Sequence, residues 1–513
     1  MTVQEIPGLV EKCRRAQTQW AELPCSERIR CMKKAALKLG ENRNEIAEMI
    51  SRESGKLVID AMAAEVIPAL MAFSYYLRRA KRLLKPHKIR HGSLLMFNKR
   101  SSMVYAPWGV VGIISPWNYP FSIPFSEVIM ALLAGNGVIL KTASVTAGCG
   151  QAIASILDAA GLPEGLFVNV EMPGKDAGPA LINGGIDKLF FTGSTATGSQ
   201  LMALAAARLL PLTLELGGAD AAIVRADADI DRAVSGIIWA GFSNAGQSCA
   251  GIQRVLVHQD IYRQFMKKLA DRVTALRSAK GGYDKSSCDL GPMVSIKQKE
   301  KFLSQINSCI EKGAQISAQS LPALFTADVS GGTPEDDDLF VPALVLTNVQ
   351  KGMPIMDDEI FGPVIGVVPF ENDREALDIA NDSPYGLCAS VWTRNRKLAK
   401  KMACELNAGS VMINDHLMSH GLPETPWGGF GYSGFGRTHG ETGFREMLKA
   451  KVIVDDILSG TKRNIWWQPY SQKVYAGLSA IGDFFAGKRR VRAIPEIMGI
   501  FFRMWKKDER PDS

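Results

Sequence analysis

Between residues 137 and 193 short apolar runs alternate with helical ones, and this alternation restricts the fold more than any other feature of the chain. Gly137-Val138-Ile139-Leu140 is followed by a helical pattern near 150–159 and then by Leu166-Phe167-Val168-Asn169-Val170. A further run, Lys188-Leu189-Phe190-Phe191, ends at Thr192-Gly193-Ser194. Short runs without polar alternation need cover on both faces, which a parallel sheet flanked by helices provides. A second block of the same character begins after Gly218, with strands expected at 221–224, 254–257, 389–393 and 410–413. The pattern predicts an α/β chain built on doubly wound sheets. Ligands on such sheets bind beyond the carboxyl ends of the strands, where Lys141 and Gly193 fall.

Outside these blocks, residues 5–85 read as helices, with apolar residues at three- and four-residue spacing over 16–23, 28–39 and 42–50. Strands are expected at 94–105 and 110–114, and a late strand at 447–454 is expected to pair with 94–104. The stretch 321–339, with Gly331-Gly332, Pro334 and an acidic run, reads as an exposed loop. A length of 513 residues accommodates two or three domains. The N-terminus has no basic region leading into an apolar stretch, so a secretory signal is not expected. Nine cysteines without a CxxC pair or a Cys/His cluster argue against a disulfide framework and against a metal site, and fit reduced thiols in a cytoplasmic protein. The net charge of +8 is concentrated after residue 460, where eleven Lys/Arg face five Asp/Glu, a surplus of six. The rest is near neutral and gives no reason to expect nucleic-acid binding.

Cys249 lies in Asn244-Ala245-Gly246-Gln247-Ser248-Cys249-Ala250-Gly251, 34 residues after the Glu215 of Leu214-Glu215-Leu216-Gly217-Gly218. A thiolate can attack a carbonyl and a carboxylate can activate water. Gly246 and Gly251 leave room beside the thiol for substrate and for groups that stabilise negative charge. With Pro116-Trp117-Asn118-Tyr119-Pro120 upstream and Glu359-Ile360-Phe361-Gly362-Pro363 downstream, the chain resembles the aldehyde dehydrogenase superfamily over about residues 100–445.

The resemblance implies oxidation of an aldehyde to a carboxylic acid through a thiohemiacetal and a thioester on Cys249. Asn118 and the Cys249 N–H would hold the oxyanion, and Glu215 would be the general base for hydrolysis. It also implies a Rossmann-like cofactor-binding domain at residues 1–88 and 106–217 and a catalytic domain at 218–430. Residues 89–105 and 431–457 would form a small β oligomerisation arm of a homodimer or tetramer, and 458–513 a basic aromatic tail. CoA-acylating relatives usually lack a base at the Glu215 position, so hydrolysis is favoured here. The alternatives are a semialdehyde or CoA-acylating dehydrogenase, or a binding protein on an inactive dehydrogenase scaffold.

Gly193-Ser194-Thr195-Ala196-Thr197-Gly198 follows a strand and opens a helix, placing N–H groups where a pyrophosphate can bind. No Lys-Ser/Thr follows Gly198, which argues against a Walker loop. By resemblance, Lys141 meets the adenosine ribose, Glu359 and Phe361 the nicotinamide ribose and ring, and Trp117 belongs to the same cofactor set. Where NAD-preferring members commonly carry a Glu, this chain has Ser144. Losing that carboxylate removes repulsion toward a 2′-phosphate, so NADP is favoured over NAD, or both are used. Ala196 and Ala219 stand where Glu and Lys are frequent. Asn414, His416 and Met418 are expected near the aldehyde entrance, and 426–429 and 433–437 resemble the family's closing loops.

After Ile457 the aromatic residues Trp466, Trp467, Tyr470, Tyr475, Phe484 and Phe485 interleave with Lys488-Arg489-Arg490. This suits peripheral attachment to a membrane interface. Pro495, Glu496 and Arg503 break the longest apolar run, so a transmembrane helix is not expected there. Packing on the enzyme or on a partner subunit is the other option. A similar C-terminal segment in some fatty-aldehyde dehydrogenases motivates a medium- or long-chain aliphatic aldehyde as substrate.

Overall fold

The computed structural model describes residues 1–278, 288–320, 339–487 and 493–506. Residues 1–85 and 105–449 form the larger of two units and contain both parallel sheets. The first sheet has six strands in the order Gly434–Phe435, Leu212–Glu215, Lys188–Thr192, Val110–Ile114, Gly137–Lys141, Phe167–Asn169. All are parallel except Gly434–Phe435, which sets Gly434 opposite Glu215. The chain starts in mid-sheet at 110–114, builds outward to 167–169, and returns to the other side at 188–192. That reversal opens a crevice beyond the carboxyl ends of 110–114 and 188–192.

The apolar runs form strands here because both faces are covered. Val110–Ile114 and Gly137–Lys141 are buried throughout, as is the helix Ser122–Ala134. Helices Cys25–Glu41 and Ile67–Leu83 cover that helix in turn. Trp20 is buried and its indole N–H donates to the Leu132 carbonyl at 2.8 Å, so the ring's polar edge is satisfied inside the core. The helical stretch Val58–Leu83 is 26 residues long with a mean hydropathy of 1.5, long and apolar enough to cross a membrane by length and composition alone. In this fold its face Ala69, Ala72, Phe73, Tyr76, Ala80 and Leu83 belongs to the core, with Phe73 edge-on to Phe125 at 5.5 Å. It is interrupted by a π-helical turn at Met62–Val66.

The second sheet has seven strands, ordered Gln315–Gln319, Leu344–Thr347, Val364–Phe370, Ile252–His258, Asp220–Val224, Cys388–Trp392, Ser410–Ile413. Only the first is antiparallel to its neighbour. The four strands expected after Gly218 are all present. Of the expected loop at 321–339, residues 321–338 lie outside the described residues.

Two expectations about the arm change. Leu94–Met96 is a 3₁₀ turn, not strand, because Ser93 accepts the Leu95 N–H on its hydroxyl (3.1 Å) and the Met96 N–H on its carbonyl (3.3 Å). The strand is Lys99–Pro107, which lies between His87–Ile89 and Leu448–Asp456 in a three-stranded sheet. The smaller unit takes in residues 86–104 and the chain from 450 onward, whereas 431–449 belongs to the larger one. There Gly434 and Phe435 extend the first sheet and Glu446 pairs with the buried amine of Lys188. Within the smaller unit, helices Gln472–Phe485 and Ile494–Phe502 pack closely at Gly477, where a Cβ would sit 2.5 Å from Ile500. Ile465, Ile500 and Met504 form a small core with Leu95, Leu458 and Leu478.

Candidate active site

A cavity of about 270 Å³ in the larger unit is lined by both Cys249 and Glu215. Glycines bring the two together. A Cβ on Gly218 would stand 2.3 Å from the Cys249 carbonyl oxygen, so only glycine lets the end of the Glu215 strand run this close to the cysteine backbone. The turn Ser243–Gly246 ahead of the cysteine holds Asn244 and Ala245 at φ 53° and Gly246 at φ 67°, all left-handed. Gly246 is required twice over, since a Cβ there would lie 2.2 Å from the Gly362 carbonyl. Strain of this kind, roughly 1–3 kcal/mol for each non-glycine residue, persists only where neighbours over-determine it. Here Asn244 Nδ2 donates to the carbonyls of Asn118 (3.0 Å) and Gln247 (3.1 Å), and Gln247 Nε2 donates back to Asn244 O at 3.0 Å.

Burial pushes the Cys249 thiol well above its ordinary range, and the carboxyls of Glu359, Asp220 and Glu215 push it further; a backbone hydrogen bond opposes them. Glu215 is buried at the end of Leu212–Glu215 with neither carboxyl oxygen hydrogen-bonded. Burial raises its pKa well above the carboxylate range, the nearby Glu127 adds to the rise, and Arg437 works against it. Glu127, also buried in the cavity wall, is pushed up to about 8 by burial. A carboxyl without partners beside a thiol is positioned to exchange protons with water or with the sulfur.

Asn118 is buried, and its Nδ2 donates to Gln247 O at 3.2 Å. An amide carries two N–H bonds, so a second remains for an oxyanion. Of the three residues expected at the entrance only Met418 lines the cavity. Asn414 instead clamps Thr393, accepting its N–H (2.8 Å) and donating to its carbonyl (2.9 Å). His416 is fully buried, with Nε2 3.1 Å from the Ala250 carbonyl and 3.7 Å from Asp220, where it braces the cysteine loop from behind.

Two histidines that motif reading passed over do line the cavity. His420 and His439 have ring centroids 4.8 Å apart, and burial pushes His420 down to about 4 and His439 well below the usual histidine value. Both are neutral near pH 7. Ala63, Ala64, Ile67 and Met71, on and after the π turn, also line the cavity. No motif marks these residues; the sequence hint is three charged residues, Lys56, Asp60 and Glu65, inside an otherwise apolar stretch.

The remaining predicted residues lie elsewhere in the larger unit. Gly193 follows its strand directly, packed under the Phe191 ring, and Ser194 caps the helix Thr195–Ala206 by accepting the Thr197 N–H at 3.3 Å. Gly198 lets that helix approach Leu216, where a Cβ would be 2.7 Å away. Lys141 is buried at its strand end, has no ion pair with another described residue, and burial lowers its pKa. Ser144 is exposed at the start of the turn Ser144–Thr146. Trp117 and Phe361 meet edge-to-face at 5.4 Å. Glu359 accepts the Gly218 N–H at 3.1 Å and is pushed up to about 7 by burial, while a Cβ on Gly217 would lie 2.4 Å from its carboxylate.

A buried amine with no ion pair among the described residues and a capped helix N-terminus free of acidic side chains in its first turn both suit a dinucleotide's phosphates and ribose. Groups of that kind in the same unit as a cavity lined by a thiol and a carboxyl fit a nicotinamide-linked oxidoreductase acting at a carbonyl carbon. The chain belongs to the aldehyde dehydrogenase family, whose sequence pattern matches residues 1–453. It is 34% identical over 488 residues to the 4,4'-diapolycopene aldehyde oxidase of Methylomonas sp, covering 94% of this chain and 88% of that one. A Mycobacterium tuberculosis protein provisionally named an NADP-type succinate-semialdehyde dehydrogenase is 36% identical over 457 residues, covering 88% and 84%. Among solved structures, the Staphylococcus aureus betaine aldehyde dehydrogenase in complex with NAD+ superposes with a TM-score of 0.82 at 28% identity, covering 91% of this chain and 90% of that one. The protein is an NAD(P)-dependent oxidoreductase that acts on aldehydes.

Proposed function

We propose that this dehydrogenase oxidises apolar, medium- or long-chain aldehydes to free acids. The observation that carries the reading is the cavity lining. Ala63, Ala64, Ile67, Met71, Trp239 and Trp427 supply an apolar wall, and besides Cys249 and Tyr119 the ionisable groups are Asp60, Glu127 and Glu215 with two neutral histidines; no lysine or arginine lines the cavity among the described residues. A semialdehyde's carboxylate would lose its hydration there beside three carboxyls and gain no cation, at a cost of several kcal/mol (~3 or more). Of the two relatives' names, the cavity therefore fits an aldehyde on a hydrocarbon body better than succinate semialdehyde.

In this reading Cys249 sulfur attacks the aldehyde carbon, and its proton leaves to a nearby base. The resulting oxyanion is held by Asn118 Nδ2 and the Cys249 N–H. Trp117, Lys141, Gly193, Ser194, Gly198, Glu359 and Phe361 would hold a nicotinamide dinucleotide, which would supply the acceptor for the hydride lost from the aldehyde carbon. Glu215 then takes a proton from water as the oxygen attacks the thioester, and the acid leaves. The exposed Ser144 near Lys141 supports NADP over NAD, because nothing at that position repels a 2′-phosphate. The reading is tested with aliphatic aldehydes and either cofactor. Failure of every aldehyde to yield reduced cofactor, or full activity in Cys249→Ala, overturns it.

For the tail, membrane attachment is supported by what its own core leaves outside. Trp466, Trp467, Tyr470, Tyr475, Phe485, Phe502 and Trp505 are all exposed, on a segment with a surplus of six positive charges. We read it as a peripheral anchor to anionic membrane on a cytoplasmic homodimer or tetramer. The exposed apolar run Val452, Ile453 and Val454 in the arm strand supports subunit pairing through the arm.

A further inference from the structure

The reaction scheme leaves one buried charge pair unused. Lys56 and Glu65 have side chains with no solvent exposure, and their Nζ and Oε1 atoms are 2.5 Å apart. Lys56 Nζ also donates to the Asn118 carbonyl at 2.6 Å and sits 4.4 Å from the Tyr119 ring centroid. The second Glu65 oxygen accepts the N–H groups of Phe121 at 2.8 Å and Ser122 at 3.2 Å. Asn244 Nδ2 is a further donor to Asn118 O, at 3.0 Å. The backbone from Asn118 onward is thus gripped at the Asn118 carbonyl and at two later N–H groups from a single segment, residues 56–65.

A buried ion pair is a poor way to add stability, since well-packed apolar residues do as well or better without the desolvation cost; what it adds is a fixed geometry. The π turn at Met62–Val66 produces that geometry. One extra residue in the turn rotates the chain by about 100°. Glu65 is thereby directed inward under the Asn118 loop while Ala63 and Ala64 face the cavity.

We propose that the Lys56–Glu65 pair is a positioning device for the oxyanion donor: by fixing the main chain from Asn118 to Ser122 it aims Asn118 Nδ2 at the site where the alkoxide forms. This rests on Asn118 acting as that donor. Removing a single such donor costs about 10²–10³ in rate, and misdirecting it costs a fraction of that.

A double-mutant cycle tests it on the full-length protein. Lys56→Met and Glu65→Gln are each made alone and on Asn118→Ala, with kcat and KM measured for octanal at saturating cofactor, alongside thermal midpoints. The expected result is a fall in kcat of about tenfold or more for each variant with KM within about threefold, and less than about twofold further loss on the Asn118→Ala background. Glu65→Gln keeps the shape of the side chain and decides the matter if Lys56→Met does not fold. Losses that multiply with Asn118→Ala, or wild-type kcat in Glu65→Gln, overturn the positioning role. An Asn118→Ala protein within threefold of wild type overturns instead the oxyanion assignment on which it rests.

Discussion

The cavity sets a quantitative expectation for substrate length. Its volume of about 270 Å³ is many times the roughly 10–15 Å³ that a single water requires, so it holds a hydrocarbon chain and not merely a reacting carbonyl. Each methylene moved from water onto such a wall is worth about 0.8 kcal/mol. If that binding energy is realised in the transition state, kcat/KM rises about fourfold per methylene, and the four methylenes between butanal and octanal amount to about 3 kcal/mol, or roughly 200-fold. Ala64→Leu, which adds three carbons to the wall, should lower kcat/KM for octanal by about tenfold or more and for butanal by less, because the longer chain fills more of the cavity. The assay is reduced-cofactor absorbance across the C4–C10 aldehydes with succinate semialdehyde alongside. A series flat within threefold from butanal to octanal, or a higher kcat/KM for succinate semialdehyde than for butanal, would refute the reasoning from the lining.

Ser144→Glu restores a carboxylate near Lys141 and should cut kcat/KM for NADP by about tenfold or more while NAD changes little; equal losses with both cofactors would count against the ribose-recognition reading. Glu127 and Glu359 are pushed up to about 8 and about 7 from 4.5, so the folded protein keeps protons that the unfolded chain gives up. Their contribution to stability is full below about pH 4.5 and is lost as pH rises through the folded-state values. The thermal midpoint of cofactor-free protein should therefore fall between about pH 5 and pH 8, and Glu127→Gln should flatten that fall, as scanning calorimetry will show. Replacing Trp466, Trp467 and Trp505 together with serine should weaken sedimentation with phosphatidylserine vesicles by on the order of tenfold or more, leaving hexanal oxidation unchanged.

The sheets were legible because their strands are short, apolar and buried on both faces, as in Val110–Ile114 and Gly137–Lys141. The positions of Gly193 and Ser194 were legible for the same reason, since the strand end at Thr192 fixes where they must lie. Other features depend on contacts that no local pattern encodes. Leu94–Met96 is apolar enough for a strand, yet the Ser93 hydroxyl wins its backbone for a turn. His416 looked like an entrance residue but its partner, the Ala250 carbonyl, comes from 166 residues away. The charge environment of Cys249 could not be read from its flanking glycines, because Glu359 and Asp220 arrive from other elements. The cavity wall was least visible of all, since Ala63 and Ala64 face the site through a π turn at Met62–Val66.

The central claim is that Cys249 carries the acyl group and Glu215 releases it, and the Glu215→Gln protein tests both halves at once. Mixed with octanal and NADP and quenched after one turnover, it should form about one equivalent of reduced cofactor per site. Steady-state turnover should then be slower than wild type by about 10²–10⁴. Peptide mass spectrometry should find an octanoyl thioester on the peptide containing Cys249. Reduced cofactor formed with that peptide unmodified, an acyl group on another residue, or wild-type turnover in Glu215→Gln would contradict the account.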